Sequence, residues 1–380
     1  ELEGDINLPQ GFKCTNKNAI RADEILQKTL SCNSMLSYNG KELNCIIDES
    51  TNGYTININK NKIQITSQNE QFEFYAFITL GQLWNFRNKS IKNAIIKDTP
   101  KYKWRGVMVD TARQFYSIKE LKDLLEHFAL FKINTLHLLL TNDEAWRLES
   151  KTYPQLHEIA AFRGYGLTIK PQFSSTYKKT GGFYTKEDIK DLILYAKNLH
   201  INIMPEFDFP SHSHALLNTL PNLVDKNDKS IYRSVQGYND NTMNPAIDFT
   251  WEFLENIIKE YSEYFSFEYM HIGFDERPHG SWIGSDLCKK YMKKNNIDDV
   301  DELQTHFANR LSNILKKYNI KSAFWEEAAK GATLQKDSLL FSWSNEEITK
   351  SIADDGYDVI AMPAQYCYFD IRQENKFESP

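Results

Sequence analysis

The spacing of apolar residues changes along the chain, and each change predicts a different kind of element. Tyr54-Thr55-Ile56-Asn57-Ile58-Asn59 alternates with period two. Lys62-Ile63-Gln64-Ile65-Thr66 repeats the alternation after a polar Asn-Lys-Asn turn, which predicts a hairpin. From Glu73 to Leu83 the spacing lengthens, and Phe74, Ala76, Phe77, Leu80 and Leu83 can share one helical face. Residues 1–97 therefore read as a small α+β unit, closed by a boundary at Asp98-Thr99-Pro100.

From residue 104 short β-rich runs alternate with amphipathic helices. The expected strands are Arg105–Asp110, Thr135–Leu140, Asn202–Phe207, Met270–Phe274, Ser322–Trp325, Leu339–Trp343 and Val359–Ala364. Ser117-Ile118-Lys119-Glu120 has the form of a capping box, followed by Leu121, Leu124, Leu125 and Phe128 on one face. Thr185 opens the next helix, with Ile189, Leu192, Ile193 and Ala196 at helical spacing. Leu303, Phe307, Leu311, Ile314 and Leu315 mark another. Repeated βα units over residues 98–380 imply a (β/α) barrel or a wide doubly wound sheet. No GxGxxG or Walker loop follows any strand, which weighs against nucleotide folds.

Composition narrows the function classes. The net charge is -6 over 380 residues, with both signs interspersed. There is no basic stripe, so no nucleic-acid partner is expected. No apolar run reaches transmembrane length. Aromatic residues make up 13%, which suits sugar stacking and equally suits large cores. Five cysteines lack CxxC spacing, so zinc and thioredoxin chemistry are poorly supported. Cys14, Cys32 and Cys45 cluster near the N-terminus and allow one disulfide in an exported protein.

Candidate chemistry collects at one address. Tyr269-Met270-His271-Ile272-Gly273-Phe274 runs into the adjacent carboxylates Asp275 and Glu276. A buried strand has no place for two charges, so they belong at its C-terminal mouth, where barrels carry their chemistry. Asp110 and Arg113, Asn142 and Asp143, Glu206, Asp208 and His212, Trp325, Glu326 and Glu327, and Tyr366, Tyr368 and Asp370 end or follow other strands. Paired carboxylates in such a mouth are the equipment of glycoside hydrolysis.

These segments resemble the glycoside hydrolase family 20 β-N-acetylhexosaminidases. The family's His-x-Gly-Gly-Asp-Glu is matched by His271-Ile272-Gly273-Phe274-Asp275-Glu276. Similar segments are Trp104 to Arg113, Lys132 to Arg147, Pro205-Glu206-Phe207-Asp208-Phe209-Pro210-Ser211-His212 and Tyr368-Phe369-Asp370. The resemblance implies a TIM-type barrel behind a small α+β domain. It implies an exo-acting retaining enzyme on glycans ending in β-GlcNAc or β-GalNAc, in which the substrate's acetamido oxygen attacks and forms an oxazolinium ion. It implies Glu276 as general acid/base, Asp275 and Tyr368 on the acetamido group, and Arg113 and Asp370 on sugar hydroxyls. Trp325 and Trp343 would wall the acetamido pocket, and His212 would support the acid. No metal or cofactor is expected, and the compartment implied is exported or lysosomal. Alternative readings are a glycan-binding pseudoenzyme and a lacto-N-biosidase-like enzyme.

Several positions depart from the family pattern. Phe274 replaces a small glycine, which predicts a reshaped pocket. Leu139 and Asn142 stand where His and Asp are usual, leaving Asp143 to partner His212. Cys367 replaces an aromatic residue before Tyr368. Only seven barrel strands are legible, so an eighth is expected from a second chain or a further segment. The neighbouring charge of Asp275 is expected to raise the proton affinity of Glu276.

Overall fold

A computed structural model describes residues 4–172 and 177–369. The chain divides into two compact units. One comprises Glu1–Val107, Lys119–Leu136 and Leu192–Asn202; the other comprises Met108–Ile118, His137–Asp191 and Ile203–Pro380.

In the first unit a five-stranded sheet has the order Phe12–Lys13, Lys41–Ile47, Ile63–Ser67, Tyr54–Ile58, Ala94–Asp98. The expected hairpin forms with Tyr54 opposite Ser67 and Ile58 opposite Ile63. Its alternation buries Tyr54, Ile56, Ile58, Ile63 and Ile65, each contributing about 1.5–3 kcal/mol. Helices Lys17–Leu30 and Glu70–Leu83 start at Asn16 and Asn69, whose side chains accept backbone N–H bonds. The second helix begins three residues before the apolar periodicity does, because Asn69 caps it. Buried Glu73 accepts from Asn16 and Asn18 at 3.0 and 2.8 Å, which satisfies its charge. The five cysteines are free thiols.

The longer sheet has seven main strands: β1 (Gly106–Asp110), β2 (Thr135–Asn142), β3 (Asn202–Phe209), β4 (Tyr269–Gly273), β5 (Lys321–Trp325), β6 (Leu339–Ser342) and β7 (Asp358–Ala361). They neighbour one another in chain order, and β3 to β7 run parallel. A two-residue strand, Ala145–Trp146, folds back antiparallel on β2. This is the sheet of a TIM-type barrel. All eight residues of β2 and the last seven of β3 are buried, as expected of strands covered on both faces. The intervening helices carry the expected signals. Thr185 and Asp188 exchange reciprocal backbone–side chain bonds of 2.9 and 3.1 Å at the start of Lys186–Lys197. Helix Val300–Lys316 buries Leu303, Phe307, Leu311, Ile314 and Leu315. Among the described residues no helix is long and apolar enough to cross a membrane.

Arg147 organises the loops above β1 and β2. Its buried guanidinium donates to the carbonyls of Thr111, Ala112, Ala161 and Gly182 at 2.6–3.0 Å. Arg163 donates to the Arg113 carbonyl at 2.6 Å. Two buried arginines thus spend their donors on backbone, where unpaired carbonyls would each cost about 1–3 kcal/mol, and they fix the loop that presents Arg113.

Candidate active site

The turn after β4 is built from unusual backbone. Gly273 has φ +79°, and a Cβ there would lie 2.0 Å from Asp208 Oδ1, so only glycine fits. Phe274 also has φ +79° and Glu276 has φ +47°. The left-handed region costs a side chain about 1–2 kcal/mol. Burial of the Phe274 ring against Phe307 and Phe324 offsets that by about 1.5–3 kcal/mol. The ring therefore packs between β5 and helix Val300–Lys316. The reshaped pocket expected from Phe274 is not its effect, because the left-handed turn points the ring into this apolar layer.

That turn brings both Asp275 and Glu276 to the Nε2 edge of His212, itself at φ +53°. His212 Nε2 lies 3.4 Å from Asp275 Oδ2 and 3.4 Å from Glu276 Oε2. Its Nδ1 lies 3.1 Å from Asp143 Oδ2. Asp143 also accepts from the His214 N–H at 3.0 Å and from Asn241 at 3.1 Å. Asp143 is therefore the partner of His212. Asn142 turns elsewhere, donating to Asp208 Oδ2 at 3.0 Å. The side chains of His212 and Asp143 are 1% and 0% exposed, against 20% for Asp275 and 29% for Glu276. A ligand can reach the two carboxylates but not the pair behind them.

Electrostatics follow from this layering. Burial disfavours a charged His212, but Asp275, Asp208 and Asp143 outweigh it and hold the ring well above its ordinary value. Burial and then repulsion from Asp275 push Asp208 up. Burial also raises Glu276, but the close approach of His212 (3.4 Å), the hydrogen bond from Gln236 (3.1 Å) and the charge of Arg113 together prevail. Glu276 therefore sits below its ordinary value. The expected rise does not occur, because the cation beside both carboxylates outweighs their repulsion.

Arg113 faces the same space, its side chain 37% exposed. Its Nη1 donates to Asp110 Oδ2 at 2.9 Å, and its Nε lies 3.6 Å from Glu144 Oε2. Burial and neighbouring acids push Glu144 up to about 7 against the pull of Arg113. Trp325 is buried at the end of β5, and Trp343 is half-buried just after β6. Tyr368 is half-buried at the end of the short helix Ala364–Cys367. Asp370 lies outside the described residues. Asp275, Glu276, His212, Asp143 and Arg113 are thus brought together by the contacts and charges above. Glu144, Asp208 and Gln236 join them. Their only signal in the sequence was position after a strand, and Gln236, on a loop, lacked even that.

Among the described residues two clusters hold donor types that suit a metal ion: His137, Glu206 and His271, and Asp208, His212 and Asp275, each with ligand atoms within 4.8 Å of one another. In the first, Glu206 already lies 2.8 Å from His137 Nε2 and 2.9 Å from His271 Nδ1, distances of direct hydrogen bonds. In the second, His212 Nε2 faces Asp275 Oδ2 at 3.4 Å, and its Nδ1 is taken by Asp143 at 3.1 Å.

Reachable paired carboxylates with a cation beside them, at the strand ends of a TIM-type sheet, define a glycoside hydrolase class of site. The family model for glycosyl hydrolase family 20, catalytic domain, matches residues 102–380, and the chain belongs to this family. It is 38% identical over 340 residues to a beta-hexosaminidase of Vibrio furnissii, covering 89% of this chain and 55% of that protein. It is 27% identical over 392 residues to the N,N'-diacetylchitobiase of Vibrio harveyi, covering 84% of this chain and 44% of that one. The solved GH20 exo-β-N-acetylglucosaminidase of Vibrio harveyi, in complex with N-acetylglucosamine, superposes with a TM-score of 0.88 at 35% identity over 96% of this chain and 59% of that one. The chain thus spans about half the length of the relatives it matches.

Proposed function

We propose that this chain carries the catalytic centre of an exo-acting, retaining β-N-acetylhexosaminidase that removes terminal β-GlcNAc or β-GalNAc from glycans. The observation that carries this reading is His212, buttressed by Asp143 and placed 3.4 Å from both Asp275 and Glu276. In this reading the substrate's acetamido oxygen attacks the anomeric carbon and expels the leaving oxygen. Glu276 gives that oxygen its proton and later takes one from water. Asp275 accepts the acetamido N–H and stabilises the charge that grows on the oxazolinium ring. Tyr368 holds the acetamido oxygen in line. Arg113 grips ring hydroxyls with its planar fork, and Asp370 takes an outer hydroxyl. Trp325 and Trp343 wall the acetamido group, while His212 and Asp143 stay behind the carboxylates. No step passes through a metal or a cofactor.

Residues 1–97 form a separate α+β domain in this proposal and 98–380 the barrel domain. An eighth strand, from a further segment or a second chain, would pair along β7, the last strand of the sheet among the described residues. The glycan substrates place the protein in an exported or lysosomal setting. The test is release of 4-nitrophenol from its β-GlcNAc glycoside. The chain should turn it over, and Glu276→Gln should lose about 10²–10⁴-fold in kcat. A folded chain without turnover, or a Glu276→Gln variant as fast as its parent, would refute the reading.

A further inference from the structure

Both tryptophans that the functional reading places around the acetamido group are tied through their indole nitrogen to a buried carboxylate. Trp325 Nε1 donates to Glu206 Oε1 at 2.8 Å, and Trp343 Nε1 donates to Glu327 Oε2 at 3.3 Å. Glu206 is 0% exposed and Glu327 is 7% exposed. A carboxylate is a poor choice for such places if packing alone is at stake, since apolar residues fill a core without a desolvation penalty.

The surroundings show what these carboxylates hold. His137 Nε2 lies 2.8 Å from Glu206 Oε2 and His271 Nδ1 lies 2.9 Å from Oε1, the oxygen that takes the indole, and His271 belongs to β4, the strand that leads to Asp275 and Glu276. The rings of His137, His271 and Phe341 lie 5.9, 4.9 and 5.9 Å from the Trp325 ring. The Trp325 indole is thus enclosed by rings and anchored at its one polar atom. Trp343 is anchored differently. Glu326 accepts the hydroxyl of Ser342 at 2.6 Å and also that of Ser344, the two residues flanking Trp343. Glu327, the next residue, takes the indole. Asp275 is near enough for its charge to act on Glu327, so this tie and the candidate acetamido carboxylate share one neighbourhood.

An indole confined by packing still has a broad, roughly two-fold choice of ring orientation about χ2. A single acceptor on one side removes that choice. We propose that Glu206 and Glu327 are positioning residues that fix the ring planes of Trp325 and Trp343 and so set the width of the slot admitting the sugar's 2-acyl group. The inference deepens the functional reading above and rests on it for the identity of the ligand. Its consequence is selectivity for acetamido over longer acyl chains.

Two readouts on the full chain test it. The first is the ¹H–¹⁵N spectrum of the indole N–H groups, with the Trp325 and Trp343 signals assigned by Trp→Phe variants. Glu327→Met should move the Trp343 signal and leave Trp325 in place. Glu206→Gln, which keeps the side-chain shape, should move the Trp325 signal. The second is kcat/KM across 4-nitrophenyl β-glycosides bearing 2-acetamido, 2-propionamido and 2-butyramido groups. Glu327→Met should compress the acetamido-to-propionamido ratio about tenfold, within the range that one methylene commands in a tight pocket. Glu327→Gln keeps an acceptor and should restore the parent ratio to within about twofold. An equal loss on all three substrates would mark Glu327 as merely structural and overturn the proposal. So would a Trp343 signal unmoved in Glu327→Met. A parent chain inert on all three substrates refutes the functional reading and the slot with it, and the indole signals then show separately whether the ties exist.

Discussion

The hairpin of residues 54–67 and the turn of residues 273–276 place side chains under opposite rules. In the hairpin every second residue is buried, all of them apolar or aromatic except Ser67, the partners face each other in register, and the flanking helix begins on a capping asparagine. In the turn, three of four residues have positive φ, two carboxylates sit side by side, and a buried charged histidine faces both. The hairpin obeys local preference and contributes stability. The turn contradicts local preference and persists because its surroundings over-determine it: Asp208 against Gly273, an aromatic layer around Phe274, and Asp143 behind His212. In this turn, left-handed backbone and partly buried charge coincide at the place where the family's chemistry falls.

That contrast can be broken from either side. Gly273→Ala pushes a methyl toward Asp208 Oδ1 and strains the turn, so it should cut hexosaminidase turnover at least about 100-fold, as small misplacements of reacting groups do. Ile65→Ala, in the hairpin, should cost about 2–5 kcal/mol of stability in a denaturant titration while the folded fraction keeps the parent kcat. If Gly273→Ala were harmless to turnover, or Ile65→Ala lowered the kcat of folded protein, the division between the regions would fail.

A smaller effect concerns pH. Glu276 must carry a proton to act as acid, and its hydrogen bonds hold it below its ordinary value. The kcat/KM of the free enzyme should therefore rise as pH falls and decline as pH climbs past that lowered value. Gln236→Met removes one donor to the Glu276 anion, so the declining limb should move to higher pH, by up to about one unit. An unmoved limb would show that Gln236 does not tune the acid.

Much of this was legible in the sequence. The seven strands read to within a few residues because strands covered on both faces leave short apolar runs. β2 and β3 extend past their expected ends, to Asn142 and Phe209, because polar residues such as Asn142 and Asp208 continue the strand into the mouth and break the apolar run. Asp275, Glu276, His212, Asp143 and Arg113 could be placed together since each lies just beyond a strand. The ties of Glu206 and Glu327 to the two indoles could not, because they join residues 119 and 16 positions apart and leave no periodic trace. The turn of Phe274 into the apolar layer, away from the pocket its replacement of a glycine predicts it to reshape, leaves no trace in the sequence because residue type carries no sign of φ. The lowered proton affinity of Glu276 is not legible there either, because it depends on His212 Nε2 and Gln236 reaching the same carboxylate from distant parts of the chain.

On the proposed function, the adjacent carboxylates divide the labour: Glu276 would move the proton and Asp275 would manage the acetamido group. The most direct test is the rate of the first chemical step for Glu276→Gln and Asp275→Asn on aryl β-GlcNAc glycosides of decreasing leaving-group basicity. A 2,4-dinitrophenolate needs little protonation, so Glu276→Gln should recover most of its lost rate on that substrate, whereas Asp275→Asn should stay slow on every leaving group. Recovery of both variants alike, or of neither, would contradict the division.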